Sequence, residues 1–316
     1  MKLVSIPANP VPEGAVSGAL STADGAKIRF ARWPAPPSNC QGTVCVFPGR
    51  VEFIEKYFEV VRDLTARGFA VAILDWRGQG LSNRTLRDPR KGHVTSFSEY
   101  DADLETFMGE VVLPDCPPPV FALAQSMGAT VMLRSAAMGR RWFERMVLCA
   151  PMIRFENLRL LPALPATAKW LRLAGFGTAY VPGGGPDCSA SGPFLGNPVT
   201  SDPIRHARTA AIIEAEPALA LGAPTIAWAD AAMKAMADLA RPAFPGKLRQ
   251  PMMIIGCGQD RVVSTSAIED FGSRLPAGSY LVVPGSKHEV MMELDQYRSQ
   301  FWAAFDAFIP GTPAFV

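Results

Sequence analysis

From residue 42 onward, short apolar runs alternate with stretches of helical periodicity, which confines the chain to architectures built from strand-helix-strand units. The runs at 43–47, 69–74, 119–123, 145–149, 251–257 and 279–283 are nearly continuous in apolar residues, as strands covered on both faces require. An α/β class with a mostly parallel sheet flanked by helices follows. Ile54, Phe58, Val61 and Leu64 fall on one helical stripe, and Phe97, Tyr100, Leu104, Phe107, Met108 and Val111 on a fuller one; both read as core. Ser96 with Glu99 predicts a capping box in front of the second stripe, and Pro114 predicts its end. Residues 26–33 alternate enough for an antiparallel strand, paired through a turn at Asp24-Gly25.

The alternation stops after Pro151 and resumes only at Pro251, an interval too long for a loop in a compact domain. It holds a Leu-rich amphipathic stretch at 158–173, a Gly/Pro/Ser-rich segment at 181–198 and helical patterns near 202–216 and 224–239. The expected organisation is a core domain of residues 1–151 and 250–316, with a helical cap of residues 152–249 lying over one end of the sheet.

Charge and cysteine usage exclude several partners. Lys and Arg number 31 against 29 Asp and Glu, with no long basic run, so nucleic acid is not an expected partner. The longest apolar stretches fall short of the ~20 residues that span a bilayer. Residues 1–12 lack the apolar segment of a signal peptide, so a cytoplasmic location is expected, with at most peripheral contact at the inner membrane surface through the cap. Six cysteines occur singly, without a Cys-x-x-Cys pair and without clustering near the three histidines, which points to reduced structural thiols and away from a metal. The sequence does not address oligomeric state.

The sharpest local feature is Phe121-Ala122-Leu123-Ala124-Gln125-Ser126-Met127-Gly128, an apolar strand running into a serine flanked by small residues and then a helical segment. That is the context of a nucleophile elbow, where the strained turn demands small side chains two positions before and after the serine. On its own the pattern is weak, because a helix N-cap serine has similar surroundings. A serine nucleophile also needs a base, and the base needs an orienting acid, in the chain order serine, acid, histidine. His93 precedes Ser126 and His206 lies in the interval, leaving His288 beyond the run at 279–283. Asp260, just past the apolar run 251–257 in a Gly-containing loop, is the favoured acid. Glu289 and Glu293 read as structural. Oxyanion donors are expected from the backbone N–H of Met127 and from that of Arg50, after Pro48-Gly49 at the end of the first parallel run.

With these residues placed, the chain resembles the serine α/β-hydrolases of the lysophospholipase L2 and monoacylglycerol lipase group. The matching segments are Pro48-Gly49-Arg50-Val51-Glu52, Asp75-Trp76-Arg77-Gly78-Gln79-Gly80-Leu81-Ser82, Gly92-His93-Val94, Ala124-Gln125-Ser126-Met127-Gly128, Gly258-Gln259-Asp260 and Gly285-Ser286-Lys287-His288-Glu289. The resemblance implies an α/β-hydrolase fold, a Ser126-Asp260-His288 triad, Arg50 and Met127 as oxyanion donors, no cofactor, and a cap admitting an acyl chain. The expected activity is hydrolysis of monoacyl lipid esters through an acyl-enzyme. The alternatives are a general carboxylesterase for short or aromatic esters, and a noncatalytic ligand-binding protein on the same fold. The 75–82 segment and His93 read as structural. Two positions depart from the group's pattern: Pro48 stands for the usual His, and Ala124 for the first Gly of the elbow. Leu160, Leu161, Leu164, Trp170, Leu171, Leu173 and Phe176 give the cap an apolar surface that suits an acyl tunnel, a membrane interface or a seal against the core.

Overall fold

A computed structural model of the chain describes residues 1–36, 40–156 and 163–309. Eight strands form one sheet: β1 (Val16–Ser21), β2 (Lys27–Trp33), β3 (Thr43–Phe47), β4 (Ala70–Asp75), β5 (Val120–Gln125), β6 (Arg145–Cys149), β7 (Met252–Cys257) and β8 (Gly278–Val283). Their order is β1-β2-β4-β3-β5-β6-β7-β8. β1 and β2 form the antiparallel hairpin expected at Asp24-Gly25, β2 pairs antiparallel with β4, and every later pairing is parallel. The apolar runs mark these strands to within two residues. β3, β4, β5 and β7 are buried along their whole length, whereas β8 begins exposed because it closes one edge of the sheet.

Helix Phe58–Ala66 carries its apolar stripe, with Phe58, Val61 and Leu64 fully buried. The second stripe starts helix Ser98–Phe107, but the capping box forms only in part. Glu99 accepts from the Ser96 N–H at 3.1 Å, while the Ser96 hydroxyl accepts from Ser98 rather than reaching Glu99. Pro114 does not stop this helix at its own position. The helix widens into a π-type turn over Met108–Val112 and ends at Asp115, and the wide turn leaves room where a proline ring would otherwise meet a helical carbonyl.

Between β6 and β7 the described chain is largely helical: Leu164–Leu171, Pro203–Ala215 and Ile226–Leu239, the last two capped by Asp202 and Thr225. This segment shares its packing with the sheet layer. Trp228, Met236 and Leu239 join the main core, while Ile212, Ile213 and Leu219 pack with Phe53 in a smaller cluster. The Gly92-His93 segment seats it: Thr225 N–H donates to Gly92 O at 3.1 Å, and the Thr225 hydroxyl lies 2.9 Å from His93 Nδ1.

The segment 75–82 is a buried polar turn. Asp75 accepts from Arg29, from Ile54 N–H and from Leu81 N–H, and a Cβ at Gly80 would lie 2.1 Å from its carboxylate. Arg77 ties this turn to Asp103 and Asp24.

Candidate active site

β3 and β5 are neighbours in the sheet, but the chain leaves them toward opposite edges, and the crevice beyond such a reversal is where α/β sheets take ligands. All the residues singled out for chemistry follow the carboxyl ends of parallel strands at this rim. Arg50 follows β3, Ser126 follows β5, Asp260 follows β7 and His288 follows β8.

β5 runs without a linker into helix Ser126–Ala137, and Ser126 takes φ +50°, a left-handed conformation that costs energy for any residue with a Cβ. The reason for small neighbours is visible at Gly128. A Cβ there would lie 2.4 Å from the carbonyl oxygen of Phe47, so the helix passes directly over the end of β3. Ala124 is fully buried.

The three side chains converge. His288 Nε2 lies 3.0 Å from Ser126 Oγ, and His288 Nδ1 lies 2.7 Å from Asp260 Oδ2. Asp260 Oδ1 accepts from the N–H groups of Val262 and Val263 at 2.8 and 3.0 Å, which fixes the carboxylate. Gln125 Nε2 donates to the His288 carbonyl at 2.9 Å, joining the elbow strand to the histidine loop. Burial alone would depress the His288 pKa; the charge and hydrogen bond of Asp260 outweigh it and raise the pKa above the usual imidazole value, with smaller help from Glu289 and Glu52.

The loop after β3 is held by two residues of the 75–82 segment, which the sequence marks as structural, and by Glu52. Trp76 Nε1 donates to Pro48 O at 2.9 Å and Gln79 Nε2 to Gly49 O at 2.7 Å. The Glu52 carboxylate accepts from Gly49 N–H, from Tyr57 Oη at 2.6 Å and from Lys56 Nζ at 2.9 Å. Lys56 also pairs with Glu289 at 2.6 Å, so one buried cation joins this loop to the residue beside His288. Glu289, expected to be structural only, therefore borders the cavity and anchors its wall. Burial, helped by the charge of Glu52, raises its pKa in spite of Lys56. Val51 takes φ +72°, rare for a β-branched residue, so strain is held next to the site here as at Ser126.

Above these residues lies a cavity of about 310 Å³, bordered below by Ser126, Met127 and His288 and above by His206, Trp228 and the Arg50 side chain, whose guanidinium lies 5.1 Å from the centre of the Trp228 ring. Met127 sits in the first turn of its helix, where N–H groups have no intrahelical acceptor. His206, set aside because it lies in the interval between β6 and β7, is 7% exposed, and its Nε2 is buried with no partner. No local pattern marks it, because only the folding of helix Pro203–Ala215 brings it over Ser126. Trp170, Leu173 and Phe176 are 70%, 66% and 55% exposed and do not border the cavity. They are neither a seal nor a tunnel wall. Leu160 and Leu161 lie outside the described residues. All six cysteines are free, and Cys45, Cys149 and Cys257 are buried in strands.

Sheet and rim together define an α/β-hydrolase. The family model described as serine aminopeptidase S33 matches residues 38–295, and the chain belongs to that family. Lysophospholipase L2 of Escherichia coli K12 is 30% identical over 286 residues, covering 87% of this chain and 82% of that protein. The probable lysophospholipase L2 of Haemophilus influenzae is 26% identical over 285 residues, covering 90% and 88%. Among solved structures, a soluble variant of monoglyceride lipase from Saccharomyces cerevisiae, bound to a substrate analog, superposes with a TM-score of 0.73 at 19% identity, covering 93% of this chain and 96% of that one. A thermostable carboxyl esterase from Bacillus coagulans has the same TM-score and identity, covering 95% and 99%. Among the described residues no helix is long and apolar enough to cross a membrane.

Proposed function

We propose that the chain hydrolyses the carboxylic ester of monoacyl lipids, with Ser126 as nucleophile, His288 as base, Asp260 as the orienting acid, and the N–H groups of Arg50 and Met127 as oxyanion donors. The observation that carries this reading is the 3.0 Å approach of His288 Nε2 to Ser126 Oγ beneath the cavity. Ser126 Oγ bonds to the acyl carbon as its proton passes to Nε2, and the carbonyl oxygen gains the negative charge that the two N–H groups meet. The imidazolium, held by Asp260, returns the proton to the departing alcohol. Water then gives a proton to His288, attacks the acyl-enzyme, and releases the acid as Ser126 is re-protonated. The lysophospholipase L2 relatives, which match over most of both chains, support the monoacyl lipid substrate.

Residues 152–249 serve as the cap in this reading, with His206 and Trp228 closing over the ester. The exposed Trp170, Leu173 and Phe176 rest on the lipid surface from which the substrate is drawn. The description of the family as an aminopeptidase offers a second reading, cleavage of an N-terminal amide. An aminopeptidase needs a carboxylate free to take the substrate ammonium, and both carboxylates bordering this cavity, Glu52 and Glu289, are engaged by Lys56. The ester reading is therefore preferred.

A fluorophosphonate probe should label the protein but not Ser126→Ala, and the unsubstituted protein should release fatty acid from micelles of a monoacyl lipid. Equal labelling of both proteins, or no ester cleaved, would refute the reading.

A further inference from the structure

The loop that carries His288 is tied, on both sides of the histidine, to the segment 197–205 in the long interval between β6 and β7. Before it, the Lys287 N–H donates to Glu293 Oε1 at 2.8 Å, and Lys287 Nζ donates to the carbonyls of Asn197 and Thr200 at 3.0 and 3.1 Å. After it, the Glu289 N–H donates to Val199 O at 2.9 Å. The same Glu293 Oε1 accepts from the Ser201 N–H at 3.0 Å, and its Oε2 accepts from the Leu294 N–H at 3.0 Å. Two further bonds close the junction: Thr200 Oγ1 donates to Met292 O at 2.7 Å, and Arg205 Nη1 to the Glu293 carbonyl at 2.9 Å. Asn197, Val199, Thr200 and Arg205 border the same cavity as His288.

Glu293 is fully buried, and among the described residues no cation pairs with its carboxylate. A carboxylate in such a place is costly unless its oxygens are met, and here three main-chain N–H groups meet them. Were packing alone at stake, an apolar side chain would fill the space at lower cost. What the carboxylate adds is a junction. One oxygen shared by Lys287 and Ser201 fixes two segments that are remote in the chain, and neither can shift without giving up a charge-assisted bond. His288 is the next residue after Lys287, and its Nε2 must stay within 3.0 Å of Ser126 Oγ for a proton to pass.

We propose that Glu293 is a positioning residue of the hydrolysis: it locks the 197–205 wall of the cavity to the His288 loop, so that the wall sets the approach of Nε2 to Ser126 Oγ. This rests on the ester-hydrolase reading above, and it adds to that reading a residue that touches neither the substrate nor the reacting atoms.

The test uses one variant from each side of the junction. Glu293→Gln keeps an oxygen for Lys287 and Ser201 but removes the charge and turns an amide N–H against the Leu294 N–H. Thr200→Val removes the bond to Met292. Each is read by kcat and KM for a soluble p-nitrophenyl ester, and by the rate at which a small fluorophosphonate labels Ser126. Glu293→Gln should lower kcat and the labelling rate together by about tenfold to a hundredfold, with KM within about twofold, because a displaced base slows the chemistry and not the binding. Thr200→Val should act in the same sense by about threefold. Val71→Ala, in the core near the start of β4 and away from the rim, controls for lost stability and should leave both rates unchanged. A rise in KM with kcat and labelling unchanged overturns the proposal, because a wall that only contacts the lipid would act in that way. Unchanged kinetics in Glu293→Gln, or a loss no greater than in Val71→Ala, overturn it as well. Should Glu293→Gln not fold, Thr200→Val carries the test alone, and an unchanged labelling rate there overturns the proposal. In each case labelling and ester cleavage by the unsubstituted protein leave the hydrolase reading standing, whereas an unsubstituted protein that is not labelled and cleaves no ester removes both.

Discussion

The floor and the roof of the cavity are built on opposite terms. On the floor, the charged groups are saturated: Asp260 takes His288 and two backbone N–H groups, and Glu52 takes Gly49, Tyr57 and Lys56. On the roof side, Arg50 Nε and His206 Nε2 are buried without partners, and apolar side chains of helix Leu164–Leu171 and the turn after it face solvent. Saturated groups cannot reorient, which suits a proton relay whose geometry must persist through every step.

The comparison breaks first at Ser126. Ser126→Ala should lower kcat on any ester by a factor on the order of 10⁶, read from initial rates, while leaving lipid binding in place. Asp260→Asn keeps the shape of the floor but presents the wrong hydrogen-bonding group to Nδ1, and should lower kcat by roughly 10⁴. A loss below tenfold in either variant would show that the floor is not the seat of the chemistry.

Acid should disable the floor next. His288 must be neutral to accept the serine proton, and its raised pKa places the acid limb of kcat/KM above the ordinary imidazole value of about 6.5. The same shift acts oppositely on stability. The imidazolium's contribution is fully present below about pH 6.5 and is lost as pH rises through the folded-state value. A pH-rate profile with its acid limb well below 6.5 would contradict the Asp260 interaction. At the elbow, Gly128→Ala puts a methyl 2.4 Å from the Phe47 carbonyl, and thermal melts should show a loss of about 1–3 kcal/mol. The smallest effect is expected on the outer face of the roof. Trp170→Ser should slow hydrolysis of micellar substrate by roughly tenfold at most and leave a soluble p-nitrophenyl ester unaffected.

Legibility in the sequence follows the range of the interactions involved. The parallel strands were readable because burial on both faces makes each one an unbroken apolar run, and β8 was readable despite its exposed beginning because its last residues turn inward. The elbow was readable because its strand, serine and helix are contiguous in the chain, although what holds Gly128 small is a remote contact, the Phe47 carbonyl at the end of β3. Helix ends were less legible. Pro114 signals a stop, yet the π-type turn before it absorbs the proline one residue short of the end. His206 was passed over because helix Pro203–Ala215, which carries it to the cavity, is placed by packing remote in the chain, and the Lys56 pair that gives Glu289 its structural role is equally remote.

Periodicity, small residues at the turns and the order of serine, acid and histidine settled the α/β framework and nominated Ser126, Asp260 and His288. Each of those signals arises from a residue's near neighbours or from a topology with few alternatives. Which cations find carboxylates, and which do not, was decided only when distant segments packed together. Charge pairing and burial depend on separations in space, and a sequence of 316 residues records separations along the chain.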